Sequence, residues 1–232
     1  QAIENINLRE VLKYAANMLS ELKLGQLTPK NYYMIFMQIF DEMRGLEACL
    51  KEEHKRGRKM SYLYEIVQHS PAIVPRLYLL VTVGSVYIST HELPAKDILS
   101  DLMEMMKGIQ HPLKGLFLRY YFLKMCKDRL PDRGTEYEGY WFLDKLDNYN
   151  SEGGDYTDAI NIILANLSEM NKLWVRIQNL GGRDKSQKDK DRNDLKVVIG
   201  ENLVRLSQLE GCTVEVYKEW VLDKIIEIVH KF

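Results

Sequence analysis

Residues 75–87 read PRLYLLVTVGSVY, and this stretch decides the fold. Leu77, Tyr78, Leu79, Leu80, Val81 and Val83 leave no polar face, and the run is too long for one short strand between turns. Length therefore predicts a helix from Pro75 to about Ser89, buried on most sides. Arg76 and Gly84 interrupt it, and it falls short of the roughly 20 apolar residues that cross a bilayer. Pro75 suits a first helical position, where its missing N–H costs nothing. Arg76 is the odd member: an arginine there either caps neighbouring carbonyls or faces a carboxylate on a partner.

Around that helix lies a chain of 232 residues, long enough for one or two domains. Its 32 Lys and Arg stand against 33 Asp and Glu, so nothing in the charge balance calls for nucleic acid or a bare anionic membrane as main partner. Sparse glycine and proline favour helices. Cys49, Cys126 and Cys212 are far apart and odd in number, which argues against a disulfide framework or a metal knuckle. The opening residues carry no signal-peptide pattern. Asn166-Leu167-Ser168 fits the N-glycosylation pattern but sits inside a helical stripe, and we read it as chance.

Taken in order, Leu8, Leu12, Ala15, Ala16, Leu19 and Leu22 recur at helical spacing, with Gly25 as a stop. Thr28-Pro29 then supplies an N-cap and a first-position proline for a second helix bearing Tyr32, Phe36, Ile39, Phe40, Met43 and Leu46. Its polar tail, Lys51 to Lys59, reads as a solvated helix end and turn. A short helix spans about Met60 to His69. Another starts at Leu93-Pro94, and a further one runs from Leu113 to Leu130-Pro131 after the break at Gly108 and His111-Pro112.

Periodicity fails between Pro131 and about Tyr156, where glycines, Asp, Asn and Ser indicate an irregular insertion. It still carries Tyr137, Tyr140, Trp141, Phe142 and Leu143, which either fold back on a neighbouring helix or anchor a partner. Ile160, Ile163, Leu164, Leu167, Met170, Trp174 and Ile177 form the clearest stripe. After Gly181-Gly182 the run to about 194 mixes both signs of charge and reads as an exposed connection and helix start. Leu195 to Leu209 and Val214 to Ile228 make the last two helices. The final one reaches Phe232 without a stop signal, as expected of a piece of something longer.

About nine helices with short links make sequential helices antiparallel neighbours. Helices apolar over more than half their circumference need covering by helices before and after them. Stacked pairs satisfy this, so the expected fold is an all-α, HEAT-like α-solenoid with irregular units, one segment over 1–232. A compact bundle is the alternative.

Catalysis finds no footing. His54, His69, His91, His111 and His230 are scattered without ligand spacing, and His91-Glu92 is followed by Pro94 and Ala95 where a zinc helix needs its second histidine. Gly84-Ser85 lacks the flanking glycine of a nucleophile elbow. Gly181-Gly182 follows a helix and leads into no phosphate-binding loop. Neither catalytic residue, metal nor cofactor is expected.

Several stretches together resemble one family, the large helical-solenoid subunit of the retromer cargo-recognition complex. They are PRLYLLVTVGSVY, KDIL from Lys96, GIQHPLKGLFLRYY from Gly108 to Tyr121, LPD at 130–132, EMNKLWVRIQ from Glu169 to Gln178, and ENLVRLSQLEG from Glu201 to Gly211. Their order and spacing match over nearly the whole chain, which is similar to the family's N-terminal portion. The resemblance implies a non-catalytic scaffold, cytoplasmic and peripheral on endosomal membranes, whose membrane association is indirect. It implies that the arrestin-like subunit of that complex binds at the family's signature, here Pro75, Arg76, Leu77, Tyr78, Leu79 and Leu80. Sorting nexins and cargo sorting motifs are expected near that junction, and a late-endosomal Rab GTPase is a further implied partner without assigned residues.

Familiar members carry a mostly acidic loop where this chain has the aromatic-rich insertion, so no role of that loop carries over. Two readings of the signature stand together: Leu77, Leu80 and Val81 act as core, or Arg76 and its flanking residues touch the partner directly. Basic residues within Lys51–Lys59 and Arg183–Lys196 motivate an alternative of another class, a direct membrane-binding helical module.

Overall fold

The computed structural model describes residues 2–23, 27–139, 153–179 and 185–231. Helix α1 (Ala2–Leu19) passes into a 3-10 turn at Ser20–Lys23. It is followed by α2 (Pro29–Lys55), α3 (Met60–Gln68), α4 (Ile73–Ser89) and α5 (Ala95–Met105). A 3-10 turn at Met106–Gly108 leads to α6 (Pro112–Met125), then α7 (Tyr156–Asn179) and α8 (Lys185–Leu206). In α9, a π-helical stretch Tyr217–Val221 joins Val214–Val216 to Leu222–His230. The described residues contain no strand, and the architecture is an all-α solenoid.

Local chemistry explains the helix starts. Thr28 Oγ1 accepts from the Asn31 amide at 3.3 Å with Pro29 at the first position, as the sequence predicts. At α6 the cap is unusual: the His111 ring accepts from the Lys114 amide at 3.4 Å ahead of Pro112. Burial, and then the nearby Lys114 charge, hold the His111 pKa below its ordinary value, which keeps the accepting nitrogen unprotonated.

Helix α4 is the hub, packing against α1, α2, α3, α5 and α6. Every residue from Leu77 to Ile88 is buried, including Thr82, Gly84 and Ser85. Gly84 marks the closest approach, since a Cβ there would lie 3.0 Å from Leu102 Cδ1 and 3.3 Å from Tyr64 Cε2. Farther along, α6 packs on α7 and α8, and α7 in turn on α9. The 27-residue α2, about 40 Å long at the helical rise, contacts α4, α6 and α8.

Two expectations are revised. Helix α4 begins at Ile73 with Ala72 as its cap, so Pro75 is in the first turn and not at its first position. Its missing N–H is still one of the four that no helical carbonyl reaches. The backbone is helical from Lys185, so most of the charged run at 181–194 belongs to α8; residues 185–194 contain neither glycine nor proline to stop a helix. The Asn166 side chain is fully buried in α7, out of reach of any glycosylation. Residues 131–139 and 153–155 are irregular, as expected. Within them Tyr137 folds back, its ring 5.4 Å from His91 and nearly parallel to it. Tyr140, Trp141, Phe142 and Leu143 lie outside the described residues.

Candidate functional site: the start of helix α4

Five of the six signature residues, Pro75, Leu77, Tyr78, Leu79 and Leu80, are buried within the chain itself; Arg76 alone is partly exposed. Tyr78 sits deepest. Its ring lies 4.9 Å from that of Tyr121 on α6 and 6.5 Å from that of Phe36 on α2. One turn on, the Thr82 hydroxyl donates to the Tyr78 carbonyl at 2.8 Å, leaving its oxygen to accept from the Tyr121 hydroxyl, also at 2.8 Å. These contacts tie three helices through one turn of α4.

Burial pushes the Tyr78, Tyr32 and Tyr121 phenols far above their ordinary pKa, so the aromatic core stays uncharged. The Tyr32 and Tyr78 hydroxyls meet no hydrogen-bond partner of acceptable geometry. Each such group costs about 1–3 kcal/mol, a cost the surrounding aromatic packing offsets.

Arg76 Nη1 donates to the Ser70 carbonyl at 3.2 Å, just past the end of α3, which is the capping role its position suggests. Ser70 also lines an open groove of about 450 Å³ between α1, α3 and the start of α4. Leu12, Ala16, Val67, Pro75 and Leu79 contribute apolar surface there, with Lys13, Lys23 and His69 among the polar lining. The arginine is thus held beside an apolar groove with the rest of its guanidinium available.

Burial raises the Cys126 thiol to about 12, too high for a nucleophile near neutrality. Among the described residues no group of His, Cys, Asp and Glu is arranged to hold a metal ion. None of the described helices is long and apolar enough to cross a membrane.

Sequence reasoning missed the polar junctions. Asp132 accepts from the backbone amides of Arg133 (2.8 Å), Glu210 (2.7 Å) and Gly211 (2.9 Å), clamping the turn before α9 to the segment after α6. Gly211 belongs to the same joint, since a Cβ there would sit 2.2 Å from Tyr156 Cβ. Arg129 bonds Glu47 on α2, Ser89 on α4 and the Met125 carbonyl on α6. Inside the stack, buried Arg119 reaches Asn166 at 3.5 Å, and Asn166 donates to Asn202 at 2.9 Å, linking α6, α7 and α8. The only sequence signal was LPD itself, which gave Asp132 a place but no role.

The described helices, each covered by neighbours before and after it, define an all-α solenoid. A sequence model of the family described as vacuolar protein sorting-associated protein 35 matches residues 1–232, and the chain belongs to that family. Vacuolar protein sorting-associated protein 35A of Arabidopsis thaliana is 49% identical over 228 residues, covering 98% of this chain and 27% of the relative. The protein of the same description from Dictyostelium discoideum is 44% identical over 227 residues, 97% and 27% of the two chains. That from Schizosaccharomyces pombe is 42% identical over 222 residues, 95% and 25%. The chain spans about a quarter of the length of these curated relatives.

Proposed function

We propose that the chain is part of a non-catalytic retromer scaffold in endosomal protein sorting and that the arrestin-like subunit docks at the start of α4. The observation that carries the residue-level reading is exposure: of the six signature residues, Arg76 alone is more than marginally exposed, and it stands beside an apolar groove that Pro75 and Leu79 help to line. Arg76 makes the direct contact. Pro75, Leu77, Tyr78, Leu79 and Leu80 act by holding α4 against its neighbours, so that the groove and Arg76 keep their places. Sorting nexins and cargo sorting motifs engage near the same junction, and a late-endosomal Rab GTPase engages the scaffold elsewhere. The protein works in the cytoplasm, and its attachment to endosomal membranes runs through these partners.

The membrane-binding alternative is weakened at the end of α2. Lys55 pairs with Glu52 at 2.7 Å, while Arg56 and Arg58 both pair with Glu53, at 2.9 and 3.0 Å. Pairing offsets part of the charge of this basic run and leaves less of it to attract anionic lipid. Calorimetric titration of the arrestin-like subunit with the parent and with Arg76→Glu tests the reading: weaker binding at unchanged melting temperature is expected, and equal affinity removes Arg76 from the interface.

A further inference from the structure

Where α2, the end of α6 and α8 converge, the surface opens into a groove of about 690 Å³ that shares no lining residue with the groove at α4. Six basic residues line it: two from α2 (Arg44, Lys51), one from α6 (Lys124), two from the segment just after it (Lys127, Arg129) and one from α8 (Arg205). Three acidic residues accompany them: Glu47, Asp128 and Glu201. The chain as a whole carries a net charge of −1, so this positive excess is local.

Two of the three acids are already shared, and Asp128 stands exposed beside Lys127. Glu47 pairs with Lys51 at 2.9 Å and also with Arg129; Glu201 pairs with Lys124 at 2.7 Å and with Arg205 at 3.2 Å. One carboxylate between two cations leaves a residual positive field at each pair. Arg205 is only 4% exposed, and its Nε is a buried donor with no partner. At the rim, Arg44 and Lys127 are exposed, and neither hydrogen bond nor ion pair joins them to any described residue. Between the cations lie the half-buried side chains of Met37, Phe40 and Tyr120, with Lys124 Nζ 5.4 Å above the Tyr120 ring.

Uncommitted cations beside an apolar floor ask for two things at once in a ligand: carboxylates for the rim and a bulky apolar group for the floor. Glu47, Asp128 and Glu201 would repel the evenly spaced phosphates of a nucleic acid, whereas a peptide can place its charges selectively. We infer that this junction is a docking groove for an acidic peptide segment of a partner protein, with a bulky apolar residue among its carboxylates. Arg44 and Lys127 take the carboxylates; Phe40 and Tyr120 take the apolar side chain. This goes beyond the contact at α4 and does not depend on it.

Fluorescence anisotropy on the 232-residue chain tests the inference, with a short fluorescein-labelled peptide in which glutamates flank a Phe-Leu pair. Saturable binding that weakens with added salt is expected. Arg44→Glu with Lys127→Glu should weaken it roughly tenfold or more, while the equally charge-reversed Lys30→Glu with Lys218→Glu leaves it unchanged. Replacing the peptide's glutamates by glutamine should abolish binding, and replacing Phe-Leu by glycines should weaken it. The groove variant should retain the parent melting temperature and the parent affinity for the arrestin-like subunit, which separates failure here from failure at α4. No binding to the parent chain, equal losses in the two double variants, or undiminished binding of the glycine peptide would overturn the inference. So would competition by inositol hexakisphosphate with no preference for the apolar peptide.

Discussion

The start of α4 and the α2–α6–α8 junction are built from opposite materials. At α4 nearly every side chain is apolar and buried, with a single arginine at the surface. At the junction charged side chains reach across three helices, and only part of their charge is answered within the chain. The difference teaches that a residue in a recognition signature need not be a residue that recognises. On the proposed reading, Tyr78 and Leu80 govern whether the surface exists, and Arg76, Arg44 and Lys127 govern what it meets.

The largest effect should come from the buried side. Leu80→Ala removes a side chain that is 1% exposed and should cost about 2–5 kcal/mol in urea denaturation. If Leu80 were instead a contact residue, stability would hold while partner affinity fell. Asp132→Ala comes next, stranding the Glu210 and Gly211 amides at about 1–3 kcal/mol for each one left unsatisfied. Hydrogen exchange should show those two amides losing protection ahead of α4; uniform loss would mean that the clamp is not local.

Charge reversal at Arg76 reads the other side of the contrast. Its single bond to the Ser70 carbonyl should be worth only about 0.5–1.5 kcal/mol, so Arg76→Glu is a binding lesion with a small thermal signature. Smallest is the pH effect at His111. Its folded pKa lies below the ordinary 6.5, so the unfolded chain binds more protons as pH falls. The stability it contributes is full above the unfolded pKa and is lost as pH drops from there through the folded value. His111→Asn, which keeps a cap that does not titrate, should flatten the decline in melting temperature below pH 6.5; an unchanged slope would assign the decline to other groups.

Much of the fold was legible because local rules and long-range packing agree along this chain. Thr28-Pro29 marks a helix start that tertiary context has no reason to move, and the unbroken apolar face of 75–87 requires neighbours on every side. The start of α4 was misplaced because Ile73 and Val74 extend a helix that a proline was expected to open. The charged run after Gly182 masked α8 because charge density resembles a connection unless helix breakers are counted too. At the site, the signature was visible, but which of its members faces outward depends on α1, α2, α3 and α6 together. The three-helix junction was beyond reach for a similar reason: Glu47, Arg129, Glu201 and Arg205 are far apart in the chain, and no pattern of spacing announces that they meet.

Paired calorimetry and thermal melting of Arg76→Glu against the parent, with the arrestin-like subunit as titrant, addresses the central claim most directly. Folding should be nearly indistinguishable between the two proteins while affinity falls in the variant. Equal affinity at equal stability, or a loss of affinity matched by a collapse in melting temperature, would contradict the assignment of packing to the leucines and recognition to the arginine.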